Sequence, residues 1–266
     1  MRIALAQITT DQDKMDNFKL LETQAQEAAR QGARLVVFPE ATSQAFGTGR
    51  LDKQAEELDG EFSTAVKNLA EELDIVIVAG MFSPADTIER DGKTISRVYN
   101  TVLISGADMH EGYDKIHTYD AFGYRESDTV KPGEELAVFE VDGIQFGVAT
   151  CYDIRFPEQF KELAQMGAEV IVVPTSWQDG EGKLEQWQLL PRARALDSTT
   201  WILACGQAQL PEELAHERKG PTGIGHSMVI NPHGQVQVSA GYEPELLIAD
   251  IDVSNLEKIR TALPVL

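Results

Sequence analysis

The chain has 266 residues, enough to bury one large core; 42% are hydrophobic and 25% charged, as in an ordinary globular protein. The formal net charge of −20 argues against binding to nucleic acids and to anionic membranes. No uncharged apolar stretch approaches the roughly 18 residues of a membrane span, and the N-terminus becomes polar too soon for a secretory signal.

Cysteine and histidine usage indicates the compartment and argues against a metal. Only two cysteines are present, Cys151 and Cys205, which is too few for a disulfide framework. The five histidines are scattered, and neither a CxxC nor an HExxH motif occurs. The sequence therefore predicts a cytoplasmic protein without a metal site.

The first third of the chain predicts alternating strands and helices. Each segment shows either a short apolar run or apolar residues at steps of three and four. These segments are a strand at 3–8, a helix from 15 to about 32, a strand at 35–38, a helix ending near 73 and a strand at 75–79.

Hairpins are predicted in the middle, before the alternation returns. Strands at 98–105 and 110–113 flank a Gly-Ala-Asp turn, and strands at 138–141 and 144–149 flank Asp142-Gly143. A helix after Pro157, a buried strand at 170–173, a helix over 187–196 and a strand at 201–204 follow. The chain then predicts a hairpin of 227–230 with 235–238, a strand at 246–251 and a short helix from 255. Because no linker separates two comparable halves, we expect one α/β domain over residues 1–266.

Cys151 lies in the segment FGVATCYDIRFPE, where an apolar strand leads to a helix that begins near Pro157. At such a corner a side chain can point out of the sheet edge, and nearby backbone N–H groups can face a substrate oxygen. A lone cysteine is more often a small buried hydrophobe, so the position alone does not decide its role. Cys205, inside the apolar strand WILACG, is predicted to be structural.

Three other polar residues are candidates for chemistry. Glu40 follows a doubly buried strand and Pro39, at the carboxyl end of that strand, where α/β sheets place ligands and catalytic groups. Lys115 comes just after a predicted strand, and His117 shares its face if the strand continues. Taken singly, each has an ordinary structural or surface interpretation. A Cys–His pair formed by Cys151 and His117 is one alternative.

Taken together, three motifs carry a resemblance. FPE at 38–40, YDKIH at 113–117 and CYDIRFPE at 151–158 occur in the order and at the spacing of the nitrilase superfamily of carbon–nitrogen hydrolases, which the chain resembles. The similarity extends over essentially the whole chain, through VYNT at 98–101, FGYRES at 122–127, PTSW at 174–177, RARALD at 192–197 and GHSMVINPHG at 225–234.

The resemblance implies a fold, an assembly and a set of roles. The fold would be a four-layer α-β-β-α sandwich, paired through helices into a homodimer. Cys151 would be the nucleophile, Glu40 the general base and acid, and Lys115 the electrostatic stabiliser. Glu126, in FGYRES, is similar to a second glutamate that many members place near the lysine. No metal or organic cofactor would be needed.

For the substrate, CYDIRFPE is most similar to Nit-type amidases that remove ammonia from deaminated glutathione. We expect a small carboxylate-bearing primary amide, with Tyr152, Arg155, Ser176 and Trp177 as substrate-binding residues, because an anionic substrate of a chain with a net charge of −20 needs cations inside the pocket. Arg155 could hold a carboxylate with two hydrogen bonds, or could instead pair with Glu158. The alternatives are an ω-amidase acting on α-ketoglutaramate, a nitrilase or N-carbamoyl amide hydrolase, and a non-enzymatic interaction module.

The sequence also departs from relatives of this type. Pro191, inside QLLPRARA, should kink or restart a helix because proline removes one of its hydrogen bonds. The segment SWQDGEGKLEQW at 176–187 replaces AFGxxTGxxHW, part of which borders the pocket in relatives, and the sequence ends at LPVL, without the basic tail that many relatives carry. The choice among amides therefore stays open.

Overall fold

The computed structural model describes residues 1–106, 108–121, 123–215, 218 and 220–266. Elements are numbered in chain order. The α-helices in this part of the chain are α1 (Lys14–Arg30), α2 (Glu61–Leu73), α3 (Pro157–Gln165), α4 (Lys183–Ser198), α5 (Glu212–Ala215) and α6 (Leu256–Ala262). The strands are β1 (Arg2–Gln7), β2 (Leu35–Val37), β3 (Val76–Arg90), β4 (Lys93–Gly106), β5 (Met109–Asp114), β6 (Asp120–Ala121), β7 (Tyr124–Arg125), β8 (Val138–Val141), β9 (Ile144–Val148), β10 (Val170–Thr175), β11 (Trp201–Gly206), β12 (Met228–Ile230), β13 (Val236–Ser239) and β14 (Glu245–Asp250).

Twelve of these strands form two six-stranded sheets of similar design. The first has the order β14-β1-β2-β3-β4-β5, and the second has the order β13-β12-β11-β10-β9-β8. Each sheet contains three neighbouring parallel strands, β1-β2-β3 in the first and β9-β10-β11 in the second, with antiparallel strands at the edges. The carboxyl ends of the parallel strands carry the site described below, as expected for ligands of α/β sheets.

The two sheets pack face to face, and helices cover their outer faces. Side chains of both sheets, such as Val37, Val148 and Leu203, form the core between them. The first sheet buries its other face against α1 and α2, and the second buries its other face against α3 and α4. Doubly buried strands such as β2, β10 and β11 therefore read as continuous apolar runs in the sequence. The predicted four-layer α-β-β-α sandwich is confirmed.

The central hairpin has longer strands than the sequence predicted. The predicted strands at 75–79 and 98–105 belong to β3 and β4, which pair from Ile77↔Ser105 out to Arg90↔Lys93. The outer part was missed because its charged residues alternate on a two-stranded ribbon that has no core to bury against. Of the predicted Gly-Ala-Asp turn, residue 107 lies outside the described residues, while Gly106 pairs with Met109.

Of the two effects predicted for Pro191, a kink or a restart of the helix, the restart does not occur. Helix α4 runs without interruption from Lys183 to Ser198 with Pro191 inside it. The proline is buried, so packing against the sheet and α3 holds the helix together around the missing N–H. Within the described residues, no helix is long and apolar enough to cross a membrane.

Candidate active site

Glu40 is held by the loop after β2. The chain turns sharply there, with Ala41 at a φ of 59°, and β3 passes so close that a Cβ on Gly80 would lie 2.4 Å from the Ala41 nitrogen. Glycine at position 80 therefore allows this approach. The Glu40 side chain is 1% exposed, and its Oε2 accepts a hydrogen bond from the backbone N–H of Ser176 at 2.8 Å. The second sheet thus fixes a carboxylate supplied by the first.

Lys115 follows β5 and lies at the centre of a buried ionic cluster. Its Nζ donates to Glu40 Oε1 at 3.0 Å and to both carboxylate oxygens of Glu126, at 3.1 and 2.9 Å. All three side chains are at most 2% exposed. The two glutamates and the lysine therefore form one hydrogen-bonded set with a formal charge of −1, and the predicted second glutamate lies beside the lysine.

Asn100 joins the same cluster from β4. Its Nδ2 donates to Glu40 Oε1 at 2.7 Å and to Glu126 Oε1 at 3.0 Å, and the residue is 1% exposed. Asn100 was not among the predicted site residues, although the motif VYNT was among the segments that carried the resemblance. A buried asparagine between charged partners leaves no signal in hydrophobic periodicity, so only that motif could have indicated it.

Cys151 begins a short 3₁₀ helix, Cys151–Arg155, between the end of β9 and α3. Its φ is 45°, an uncommon left-handed backbone for a residue with a Cβ, and such strain is concentrated at functional sites. The corner is fixed by Thr150 and Asp153, which cap the 3₁₀ helix reciprocally. Cys151 Sγ donates to the carbonyl oxygen of Ser176 at 3.7 Å, and the Glu40 carboxylate lies near enough to raise its pKa.

The electrostatics favour a protonated thiol beside a charged lysine. Burial, and after it the Glu40 carboxylate, raises the pKa of Cys151 well above its ordinary value, and Lys115 offsets this only in part. Burial lowers the pKa of Lys115, but the carboxylates of Glu126 and Glu40 outweigh it and hold the pKa well above its ordinary value. In the resting protein, Cys151 is therefore a thiol that needs a base to become a nucleophile.

The four residues predicted to bind substrate line one cavity with Cys151. Tyr152, Arg155, Ser176 and Trp177 border it together with Glu40, Lys115 and Glu126. The guanidinium of Arg155 lies over the rings of Trp177 and Tyr152, at 5.1 and 5.9 Å from their centroids, and donates to Gln186 Oε1 at 2.6 Å. An ion pair between Arg155 and Glu158 is not among those of the described residues.

Tyr119 and Lys183 are among the cavity residues that were missed. Lys183 is 7% exposed, and its Nζ lies 3.4 Å from the hydroxyl of Tyr119, which in turn donates to Gln178. Both border the cavity, and burial followed by the nearby Arg155 lowers the pKa of Lys183. Lys183 lies in the segment 176–187, which departs from the pattern of relatives, so that departure could have indicated Lys183 as a cavity residue.

His117 and Cys205 lie elsewhere. His117 donates its backbone N–H to Asp153 and contacts the same carboxylate oxygen through Nδ1, both at 2.9 Å, and it stacks on Phe156. It is absent from the cavity lining that the described residues form, so the geometry does not support a Cys151–His117 pair. Cys205 is fully buried between the two sheets, with Sγ 3.1 Å from the carbonyl oxygen of Val37.

Comparison with known proteins agrees with this arrangement. Residues 2–261 match the family model of the carbon-nitrogen hydrolases. A hydrolase of Mycobacterium tuberculosis is 48% identical, in an alignment that covers 100% of this chain and 94% of that protein. The omega-amidase NIT2 of Danio rerio is 33% identical, with 99% of this chain and 92% of that protein covered.

A solved structure shows the same fold. The chain superposes on Nit3 of Saccharomyces cerevisiae, a member of branch 10 of the nitrilase superfamily, with a TM-score of 0.81 and 27% identity. That match covers 100% of this chain and 94% of the yeast chain. The predicted resemblance is confirmed: the chain belongs to the carbon-nitrogen hydrolases of the nitrilase superfamily.

Proposed function

We propose that the protein hydrolyses a small primary amide that carries a carboxylate, and that it releases ammonia through a thioester on Cys151. The observation that carries this proposal is the buried, hydrogen-bonded set of Glu40, Lys115 and Cys151 at one end of the cavity. A carboxylate, an ammonium and a thiol in contact supply a base, an electrostatic stabiliser and a nucleophile.

In the first half of the reaction, Cys151 Sγ attacks the amide carbon while its proton moves to the Glu40 carboxylate. The oxyanion that forms is held by Lys115 Nζ and by the backbone N–H of Tyr152, each donor contributing about 3 kcal/mol to the transition state. Glu40 then gives the proton to the nitrogen, the C–N bond breaks, and ammonia leaves a thioester behind.

In the second half, water attacks the thioester carbon. Glu40, again a carboxylate, takes a proton from the water, and the oxyanion returns to the same donors. The C–S bond breaks, and the proton on Glu40 returns to sulfur. The products are a carboxylic acid and the free thiol, so one water is consumed for each ammonia released.

Cations at the cavity support a carboxylate-bearing substrate. The chain has a net charge of −20, which disfavours anions at long range, yet Arg155 and Lys183 both border the cavity. A planar guanidinium can bind a carboxylate with two hydrogen bonds, and Gln186 and Trp177 hold Arg155 in one orientation. Of the amides in this class, we propose deaminated glutathione first and α-ketoglutaramate, a substrate of the omega-amidase type, second.

The test is steady-state ammonia release from deaminated glutathione, α-ketoglutaramate and a neutral aliphatic amide of similar length. We expect higher kcat/KM for the two anionic amides. Arg155→Met should remove most of that preference by raising KM, whereas Glu158→Gln, on the neighbouring helix, should retain it. A higher kcat/KM for the neutral amide, or for a simple nitrile, would contradict the proposal.

A second variant separates the proposed chemistry from a Cys–His mechanism. His117→Ala removes a group that bonds Asp153 rather than Cys151, so we expect only a few-fold loss of kcat through loosening of the corner at Asp153. Complete loss of turnover in a folded protein would instead support His117 as the base.

The predicted homodimer stays a proposal. On the outer side of α4, Leu189 and Leu196 are 62% and 45% exposed, and their spacing of seven residues places them on one face of the helix. We propose that this face packs against a second copy of the chain. Light scattering after size exclusion should give a dimer mass that Leu189→Glu lowers; a monomer mass for the unchanged protein would refute the assembly.

A further inference from the structure

Asn100 contacts each of the three charged residues of the cluster. Its Nδ2 donates to Glu40 and to Glu126, and its backbone carbonyl accepts the N–H of Lys115 at 2.9 Å. We propose that Asn100 is a positioning residue that occupies one oxygen of Glu40 and thereby directs the proton of Cys151 to the other. The role of Glu40 as base rests on the function proposed above, whereas the contacts of Asn100 do not.

The orientation of the Asn100 amide follows from its partners. A carboxylate only accepts hydrogen bonds, and the cluster already holds its two carboxylates with the Lys115 ammonium, so the group facing both must be the NH₂. Both of its hydrogens are then used. The amide oxygen Oδ1 is buried without a partner among the described residues, which is a cost that a purely structural asparagine would avoid.

Counting acceptor positions identifies the oxygen of Glu40 that receives the proton. A carboxylate offers about four positions, two on each oxygen. Oε1 is filled by Asn100 and Lys115, and Oε2 takes the N–H of Ser176. One position remains, on Oε2, for the thiol of Cys151. Without Asn100, Oε1 has a vacant position, and the proton can also settle on the side that faces Lys115.

Asn100 also keeps Glu40 and Glu126 bridged when Lys115 gives one of its N–H donors to the substrate. The ammonium has three N–H donors, and its contacts to Glu40 Oε1 and to both oxygens of Glu126 engage all of them in the resting protein. One donor must turn away to hold the oxyanion of the substrate. When it does so, the N–H groups of Asn100 still bridge Glu40 and Glu126, so the two carboxylates keep their separation.

The test is the pH dependence of two reactions in Asn100→Leu, which keeps the number and branching of side-chain heavy atoms but removes both donors. The ionisable side chains that surround Glu40 are those of Lys115, Glu126, Cys151 and Tyr124. Loss of a donor disfavours the ionised carboxylate, so we expect the acidic limb of kcat/KM to move up by about one pH unit. We expect kcat to fall about 10- to 100-fold, with KM nearly unchanged.

The second reaction is alkylation of Cys151 by iodoacetamide, followed by mass spectrometry. It needs no substrate, so a shifted alkylation profile without amide turnover would sustain the inference while the proposed function fails. Asn17→Leu is the matched control, because Asn17 is also buried but bonds only backbone groups. It should lower the melting temperature without moving either profile. If Asn100→Leu behaves in the same way, Asn100 is merely structural and the inference is wrong.

Discussion

The two cysteines show what distinguishes a reactive corner from a core strand. Both side chains are buried, and burial raises the pKa of both thiols. Cys205 lies within β11 in regular extended structure, with its sulfur against backbone carbonyls of the opposite sheet. Cys151 follows Val148, the last residue of β9, by three positions. It has a φ of 45°, and the charges of Glu40 and Lys115 act on its thiol. Burial alone therefore does not separate them, whereas position along the strand and charged neighbours do.

Strand geometry gives a reason for the position of Cys151, the proposed nucleophile, at a strand end. Inside a strand, the backbone N–H groups are used by the hydrogen bonds between strands, as in the β10–β11 pairing around Val173↔Ala204. Beyond the strand, the chain turns, and its N–H groups can face a substrate. The parallel strands of the two sheets end near one another, so Glu40 from the first sheet can meet Cys151 and Ser176 from the second.

The largest loss of kcat is expected when the Cys151 thiol is removed. Cys151→Ala should lower kcat by about 10⁴-fold or more, because no other side chain takes the place of a lost nucleophile. Ammonia release by the folded variant is the measurement, with far-UV circular dichroism to confirm folding. Residual turnover within about ten-fold of the unchanged protein would show that Cys151 is not the nucleophile.

The next effect concerns Glu40, the proposed base, which lies beside Cys151 and not beside Cys205. Glu40→Gln keeps the shape of the side chain but cannot accept the thiol proton, and we expect kcat to fall about 10²- to 10⁴-fold. Ammonia release at saturating substrate is the measurement. The matched variant is Glu56→Gln, since Glu56 pairs with Lys14 away from the cavity, and it should leave kcat unchanged. An unchanged kcat in Glu40→Gln would remove Glu40 as the base.

A smaller effect tests whether the Cys151 thiol is protonated at rest. Burial and Glu40 raise the pKa of Cys151, so the thiolate fraction near pH 7 should be lower than that of a free cysteine, whose pKa is about 8.5. The absorbance at 240 nm, taken as the difference between the unchanged protein and Cys151→Ala, should show no thiolate step between about pH 5 and pH 8. A step in that range would indicate a thiolate–lysine pair instead.

The smallest effect on activity is expected at Cys205. Cys205→Ala should keep kcat within about two-fold while lowering the free energy of unfolding by about 1 kcal/mol, because it leaves a small cavity between the sheets. For a chain of this size, that corresponds to a melting temperature lower by about 2–4 °C. A large loss of turnover with normal folding would mean that the distinction between the two cysteines is wrong.

Most of the fold could be predicted because it depends on local patterns. The buried strands around Val36 and Val172 stand out as unbroken apolar runs, and α1 stands out through its spacing of three and four. The outer part of the β3–β4 hairpin escaped prediction, since exposed charged residues carry no such pattern. The predicted restart of α4 at Pro191 does not occur, because helix propensity is a local preference that packing can override.

For the site, the sequence shows which residue types are available: a cysteine after a strand, a glutamate after another and a lysine after a third, in motifs that mark the family. It does not show that Glu40, Lys115 and Glu126 share one buried network with Asn100, or that His117 turns instead to Asp153, because these contacts form only in the folded chain. These contacts join residues up to 75 positions apart. Sequence periodicity reports only what lies within a few residues, whereas the hydrogen bonds of this site depend on how two sheets end against each other.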